Sequence, residues 1–349
     1  MRQQHQPQPA QHRQSHGSSR PLATWLILGP GLGLLALLAA FSITQGAATL
    51  PLATVREALL HFNPQNTQHL IVVDLRLPRL IASALAGAAL AVAGAVMQGT
   101  TRNPLADSGL LGLNAGAGFA LSLCFAFFPG LGYLQLIGAA FLGAALGAAL
   151  VATAACLGRG ATPLRLVLAG AAVSALLAAL SQGLALYFAT AQTIMFWTAG
   201  GVAGANWAQL RLLAPWMAAA LLGAVALSRS VSLLSLGEET AKGLGLNTSA
   251  VMALCALIVL MLAGAAVAVV GAVAFVGLII PHLARFLVGV DYRRIIPVSA
   301  VLGAHLLLLA DLAARTLNPP FETPLGALTA LIGVPFFLYL ARRQRRARQ

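Results

Sequence analysis

Residues 248–270 read TSAVMALCALIVLMLAGAAVAVV, twenty-three positions without one charged side chain. An α-helix of that length is about 34 Å long, enough to cross the roughly 30 Å of hydrocarbon in a bilayer. In lipid a crossing segment must satisfy its backbone N–H and C=O groups internally, which a continuous helix does and a loop does not. The stretch therefore predicts a transmembrane helix, and the chain repeats it. Apolar runs between polar breaks fall at 22–43, 79–98, 108–128, 133–156, 163–188, 208–228, 248–270, 272–289, 295–313 and 324–341. The expected fold is all-α, a polytopic membrane protein with about ten transmembrane helices. Only Gly271 and its neighbours separate the seventh run from the eighth, so the residues leave nine or eleven spans open.

Composition agrees with that reading. Of 349 residues 59% are hydrophobic and only 8% charged, with a mean hydropathy of +0.86. A soluble domain carries roughly 25% charged residues, because its surface faces water. Here most of the surface must face lipid. The first apolar run is too long for a signal-peptide core of roughly 7–15 residues and reads as a retained span. The three cysteines, Cys124, Cys156 and Cys255, lie far apart in apolar stretches without CxxC or Cys/His spacing, so they read as small buried hydrophobes and no metal site is expected. Small residues recur four apart, as Gly112 and Gly116, Gly143 and Gly147, and Ala84 and Ala88. Such pairs let helix backbones approach closely in lipid.

The formal net charge of +13 has to be located before it implies a partner. It forms no basic, aromatic-interleaved face of the kind that grips RNA or DNA, so no nucleic-acid partner is expected. With a cytoplasmic N-terminus and ten spans, the inner segments hold the basic N-terminal stretch, Arg102, Arg159, Arg165, Arg229, Lys242, Arg285, Arg293, Arg294 and the tail arginines Arg342, Arg343, Arg345, Arg346 and Arg348. The outer segments hold only Arg56, Arg76, Arg79, Arg211 and Arg315. This positive-inside bias supports an even number of spans and two cytoplasmic termini.

Absences narrow the mechanism. Lys242 is the only lysine and sits in Thr240-Ala241-Lys242-Gly243, so the chain has no G-x-x-x-x-G-K-[ST] phosphate loop. It has no H-E-x-x-H and no G-x-S-x-G either, and no catalytic residue is expected. None of its eight acidic residues lies mid-span, Asp311 coming closest near the outer end of the ninth run. Ion-driven secondary transporters place carboxylates near the midplane, so that class is disfavoured, carbonyl-based sodium sites apart. The chain crosses the membrane many times without an energy source of its own. Another protein drives it, or it is a passive channel.

Ordered motifs then run through the chain after residue 70. They are Arg76-Leu77-Pro78-Arg79, Gly94-Ala95-Val96-Met97-Gln98, Arg102-Asn103-Pro104-Leu105-Ala106-Asp107 and Gly109-Leu110-Leu111-Gly112. Later come Leu236-Gly237-Glu238-Glu239-Thr240-Ala241-Lys242-Gly243-Leu244-Gly245, Phe275 to Arg285, Ala310-Asp311-Leu312-Ala313-Ala314-Arg315, Pro324-Leu325-Gly326 and Gly333-Val334-Pro335-Phe336-Phe337. Together they resemble the permeases that import iron chelates, haem and cobalamin, the membrane subunits of type II ABC importers. The resemblance implies a homodimeric pore in a bacterial inner membrane, surrounded by lipid, with two cytoplasmic ATPase subunits beneath it and a periplasmic substrate-binding protein above. ATP and magnesium are then used by the ATPase, and this chain holds no cofactor. The chain divides into a disordered cytoplasmic segment 1–21, a permease domain 22–341 with cytoplasmic coupling helices at about 229–247, and a basic cytoplasmic tail 342–349.

Three sites follow from the resemblance. The first is the coupling segment, with Glu238, Glu239, Ala241, Leu244 and Gly245, which reads as a short amphipathic helix ending at a glycine cap and sits in a cleft of the ATPase. By composition alone the same residues are a solvated charge pair on a loop. The second is the outer arginine set, Arg76, Arg79 and Arg315, which receives carboxylates of the binding protein; a guanidinium fork holds a carboxylate bidentately. The competing reading is snorkelling, or local pairing with Asp74 and Asp311. The third is a gate at Thr162 and Pro163, before a fifth span that lines the pathway. His305 reads as a packed polar residue and His282 as structural. Phe196-Trp197-Thr198-Ala199-Gly200 and Trp207 resemble the haem branch, with ferric siderophore and cobalamin as alternatives.

Overall fold

The computed structural model describes residues 21–46, 49–156, 163–319 and 321–346, and every regular element among them is helical. The chain opens with α1 (Pro21–Thr44), α2 (Leu52–Leu60) and α3 (Thr67–Leu70). A π-helical turn over Ile71–Arg76 joins α3 to α4 (Leu77–Thr101). A 3₁₀ turn at Ser108–Leu111 precedes α5 (Leu113–Phe127), followed by α6 (Tyr133–Cys156), α7 (Pro163–Tyr187), α8 (Ala191–Thr198) and α9 (Trp207–Ser235). The order ends with α10 (Glu238–Gly243), α11 (Thr248–Val270), α12 (Val276–Val288), α13 (Tyr292–Thr316) and α14 (Leu325–Arg346).

Among the described residues seven segments are long and apolar enough to cross a membrane: α1, the run Thr67–Thr101, α6, α7, α9, α11 and α13. With the shorter apolar helices α5, α12 and α14 they make ten, as expected from the apolar runs. The remaining short helices cap the ends, α2 and α8 at the end that the charge count assigns to the outside and α10 at the inner end.

At the centre stands α4, buried almost without interruption from Ala86 to Gly99 and packed against α13, α11, α12 and α9. Its Ala- and Gly-rich sequence explains the place. Lipid provides no hydrophobic drive between helices, so close backbone approach across small residues holds them together. The two expected glycine pairs also find each other. A Cβ built on Gly116 would overlap the Gly143 carbonyl, and one on Gly147 would meet that of Gly112. By contrast α1 and α7 are mostly exposed, leaving surface for lipid or another chain. Of the cysteines, Cys255 is buried and Cys124 half-buried, but Cys156 is exposed, because it ends α6 at the rim of the bundle.

Two expected runs are not continuous helices. The third starts with the 3₁₀ turn and turns α-helical only at Leu113. The eighth is broken: residues 271–275 are non-helical, bounded by Gly271 at φ +70° and Phe275 at φ +68°. The thirteen residues of α12 are about 20 Å long, too short to cross alone, and the extended stretch covers the rest. The half-helix begins inside the bundle, where a Cβ on Gly94 of α4 would overlap the carbonyl of Gly277. Irregular backbone at such depth survives only when protein satisfies it. Here the Asp107 carboxylate faces the backbone N–H groups of Phe275, Ser108 and Gly109, and a Cβ on Gly277 would stand 2.6 Å from its Oδ1. A negative charge at a helix N-terminus is also favoured by the helix dipole.

Candidate functional site

Three arginines from two distant parts of the chain converge at the outer end. Arg76 closes the π turn, Arg79 lies in the first turn of α4, and Arg315 lies in the last turn of α13. The guanidinium of Arg79 is fully engaged. Its Nε donates to Asp311 Oδ1 at 2.9 Å and its Nη2 lies 2.8 Å from the same oxygen. Its Nη1 donates to Glu322 Oε1 at 2.6 Å and Nη2 to Glu322 Oε2 at 3.1 Å, a bidentate fork. Asp311 is fully buried, whereas the Glu322 side chain is 41% exposed.

The other two arginines turn inward toward the end of α1. Arg76, 9% exposed, donates through Nη1 to the Ile43 carbonyl at 2.6 Å. Arg315 donates to the Gln45 carbonyl at 3.1 Å and to Ser42 Oγ, and its Nη2 lies 3.5 Å from Asp311 Oδ2. Carbonyls at a helix C-terminus carry partial negative charge and suit cations. So the local pairing with Asp311 that competed with docking is present for Arg79 and Arg315. Glu322 was missed in the sequence, because it sits 243 positions from Arg79 on a non-helical stretch.

At the inner end α9 continues through residues 229–235, and α10 is a separate helix entered through Gly237 at φ +124°. Glu238 and Lys242 form an i,i+4 ion pair at 2.8 Å, and the Thr248 hydroxyl donates to Glu238 Oε1 at 3.4 Å. The Lys242 ammonium beside it holds the Glu238 carboxyl below the usual carboxylate range, with Arg102 adding to the field. The helix closes in a Schellman motif: Gly245, at φ +81°, donates its N–H to the Lys242 carbonyl, and Leu246 donates to that of Ala241. Gly245 thus stands one residue past the cap, which is Leu244. Ala241 is fully buried and fastens the helix to the bundle, while Glu239, Leu236 and Leu244 are exposed. An exposed leucine pair flanking an acidic turn is a surface that a protein partner can cover.

Of the two gate residues, one is described. Thr162 lies outside the described residues, and Pro163 is the first residue of α7. Downstream, α7 exposes Leu168, Leu176, Leu180 and Tyr187. His305 Nδ1 lies 2.8 Å from the Val301 carbonyl one turn back in α13, and the His282 ring stacks edge-on to Phe336 at 5.6 Å. Trp207 donates its indole N–H to the Val73 carbonyl at 2.9 Å, tying α9 to the π turn. Among the described residues no three His, Cys, Asp or Glu side chains converge as metal ligands.

Known proteins share this architecture. The chain is 55% identical over 330 residues to the iron(3+)-hydroxamate import system permease protein FhuB of Bacillus subtilis (strain 168), covering 94% of this chain and 86% of that one. It is 38% identical over 331 residues to the hemin transport system permease protein HmuU of Yersinia pestis, covering 93% and 97%. A solved structure described as an inward-facing metal-chelate type ABC transporter superposes with a TM-score of 0.79 at 31% identity, covering 91% of this chain and 99% of that one. The model of the FecCD transport family matches residues 34–343. Ten apolar helices without a phosphate loop, in the motif order of these permeases, make this chain a multi-pass member of the FecCD transport family, the permease subunits of type II ABC importers.

Proposed function

We propose that the chain forms the pore through which a ferric hydroxamate chelate enters the cytoplasm across a bacterial plasma membrane, both termini being cytoplasmic. The observation that carries the cargo is the contrast in identity: 55% to a permease named for iron(3+)-hydroxamate against 38% to one named for hemin. Haem, favoured by the segment around Trp197 and Trp207, becomes the second reading. ATP is hydrolysed in separate subunits that engage α10 through Glu238, Glu239, Leu236 and Leu244, Ala241 and Gly245 fixing its pose. A binding protein delivers cargo at the outer arginines. The absence of a phosphate loop supports the first assignment, and the convergence of Arg76, Arg79 and Arg315 supports the second.

Two permease chains enclose the pathway, taken here as two copies of this one, with α7 on its wall and residues 162–163 at its inner mouth. Co-purification of two differently tagged copies tests the pairing; recovery of one tag with a different permease replaces it by a mixed pair. The cargo is tested in proteoliposomes holding the complete importer. Uptake of radiolabelled ferric hydroxamate should require ATP and binding protein and should exceed haem uptake. Haem uptake at the greater rate, or hydroxamate uptake without ATP, overturns the reading.

A further inference from the structure

Of the carboxylates around the outer arginines, only one is replaceable. Asp311 is sealed inside α13, and the carbonyls that hold Arg76 and Arg315 belong to the end of α1. Among the described residues, Glu322 is the carboxylate bound to these arginines that is open to solvent, and it occupies two N–H groups of Arg79 in the geometry that an incoming carboxylate would adopt. Its backbone is fixed nearby, because Thr323 donates its N–H to the Ala314 carbonyl at 2.8 Å. The side chain can swing away while the loop stays.

From this we infer that Glu322 is a placeholder carboxylate: it occupies the Arg79 fork while the permease is vacant and is displaced when an acidic side chain of the binding protein docks. The inference rests on the proposed docking role of these arginines and adds how the surface is kept in check. Physically, the exchange swaps one charge-assisted bidentate pair for another, so a vacant permease never leaves the exposed edge of Arg79 unpaired. Docking is then weak enough to reverse, and a soluble acidic ligand must outcompete a tethered one.

The test measures association of fluorescently labelled binding protein from the same uptake system, loaded with ferric hydroxamate, with the complete importer in nanodiscs. Glu322→Gln should accelerate association about three- to ten-fold at low salt and tighten binding, with Glu322→Ala repeating the effect. Asp74→Asn removes the same charge from the exposed Asp74 of the π turn and should change the rate less than two-fold. Equal acceleration by both variants would reduce the effect to general field and overturn the exchange, as would an unchanged or slower rate in Glu322→Gln. Arg79→Glu separates the two layers. If it leaves docking intact the docking role itself falls; if it abolishes docking while Glu322→Gln is neutral, only the placeholder falls.

Discussion

Gly94 of α4 and Gly277 of α12 touch backbone to backbone, so closely that a Cβ on Gly94 would overlap the main chain of Gly277. The contact seats the start of the half-helix against the central span. Gly94→Val should therefore prevent assembly of the folded bundle, because the clash is with main chain and cannot be relieved by a rotamer change. Detergent-solubilised yield and thermal unfolding report it. Gly33→Val in α1, where a Cβ meets nothing within 4 Å, should leave both unchanged.

Asp311 serves two guanidinium groups at once. Asp311→Ala leaves Arg79 and Arg315 in a largely buried place without their shared carboxylate and should cost about 3–5 kcal/mol, the range for breaking a buried pair. A melting curve of the purified permease measures the loss. The double variant Arg79→Ala/Asp311→Ala should recover part of it; a double variant as unstable as the sum of both singles contradicts the pairing.

Ala241 anchors α10 to the bundle, and the proposed ATPase contact falls to the exposed Leu244. Leu244→Asp changes a side chain that is 62% exposed, so the melting temperature should stay while transport and binding-protein-stimulated ATP hydrolysis fall at least ten-fold. Ala241→Glu should lower the melting temperature as well, because it forces a charge into a fully buried position. If Leu244→Asp leaves coupled hydrolysis intact, α10 is not the contact.

The carboxylate of Asp107 faces the backbone N–H groups of Phe275, Ser108 and Gly109. Asp107→Ala removes that acceptor and should destabilise the protein by about 1–3 kcal/mol, whereas Asp107→Asn keeps one acceptor oxygen and should lose less. Hydrogen exchange at Phe275 follows the effect directly: protection there should drop in the alanine variant and persist in the asparagine one.

Legibility in the sequence tracked the range of the interactions. The ten apolar segments were visible because lipid imposes a length and a polarity on each crossing, residue by residue. So was the short helix α10, whose Glu238–Lys242 spacing and Gly245 terminus are local signals. The break before α12 was only half visible: Ala272, Val273 and Ala274 are as apolar as any helix, and the interruption resides in backbone angles at Gly271 and Phe275. The arginines were found individually, and the i,i+4 spacing of Asp311 and Arg315 hinted at a pair. The pairing of Arg79 with Glu322 was invisible, because it joins opposite ends of the chain through tertiary packing alone. Short α2 and α8 were missed for a related reason, since neither is long enough to carry a periodic signal.

The π turn at Ile71–Arg76 makes the second span a ruler with one graduation too many. Removing a single residue there would let the run relax into ordinary α-helix, and the segments on either side would keep nearly their present facing, because the π turn is what absorbs the surplus residue. The same deletion in the regular helix that follows would turn everything toward Asn66 by about 100° about the axis, carrying Arg76 from its berth beside Ile43 and the Val73 carbonyl from the Trp207 indole. The turn is thus a slack link, a place where the span can lose a residue and still hold the outer arginine set together.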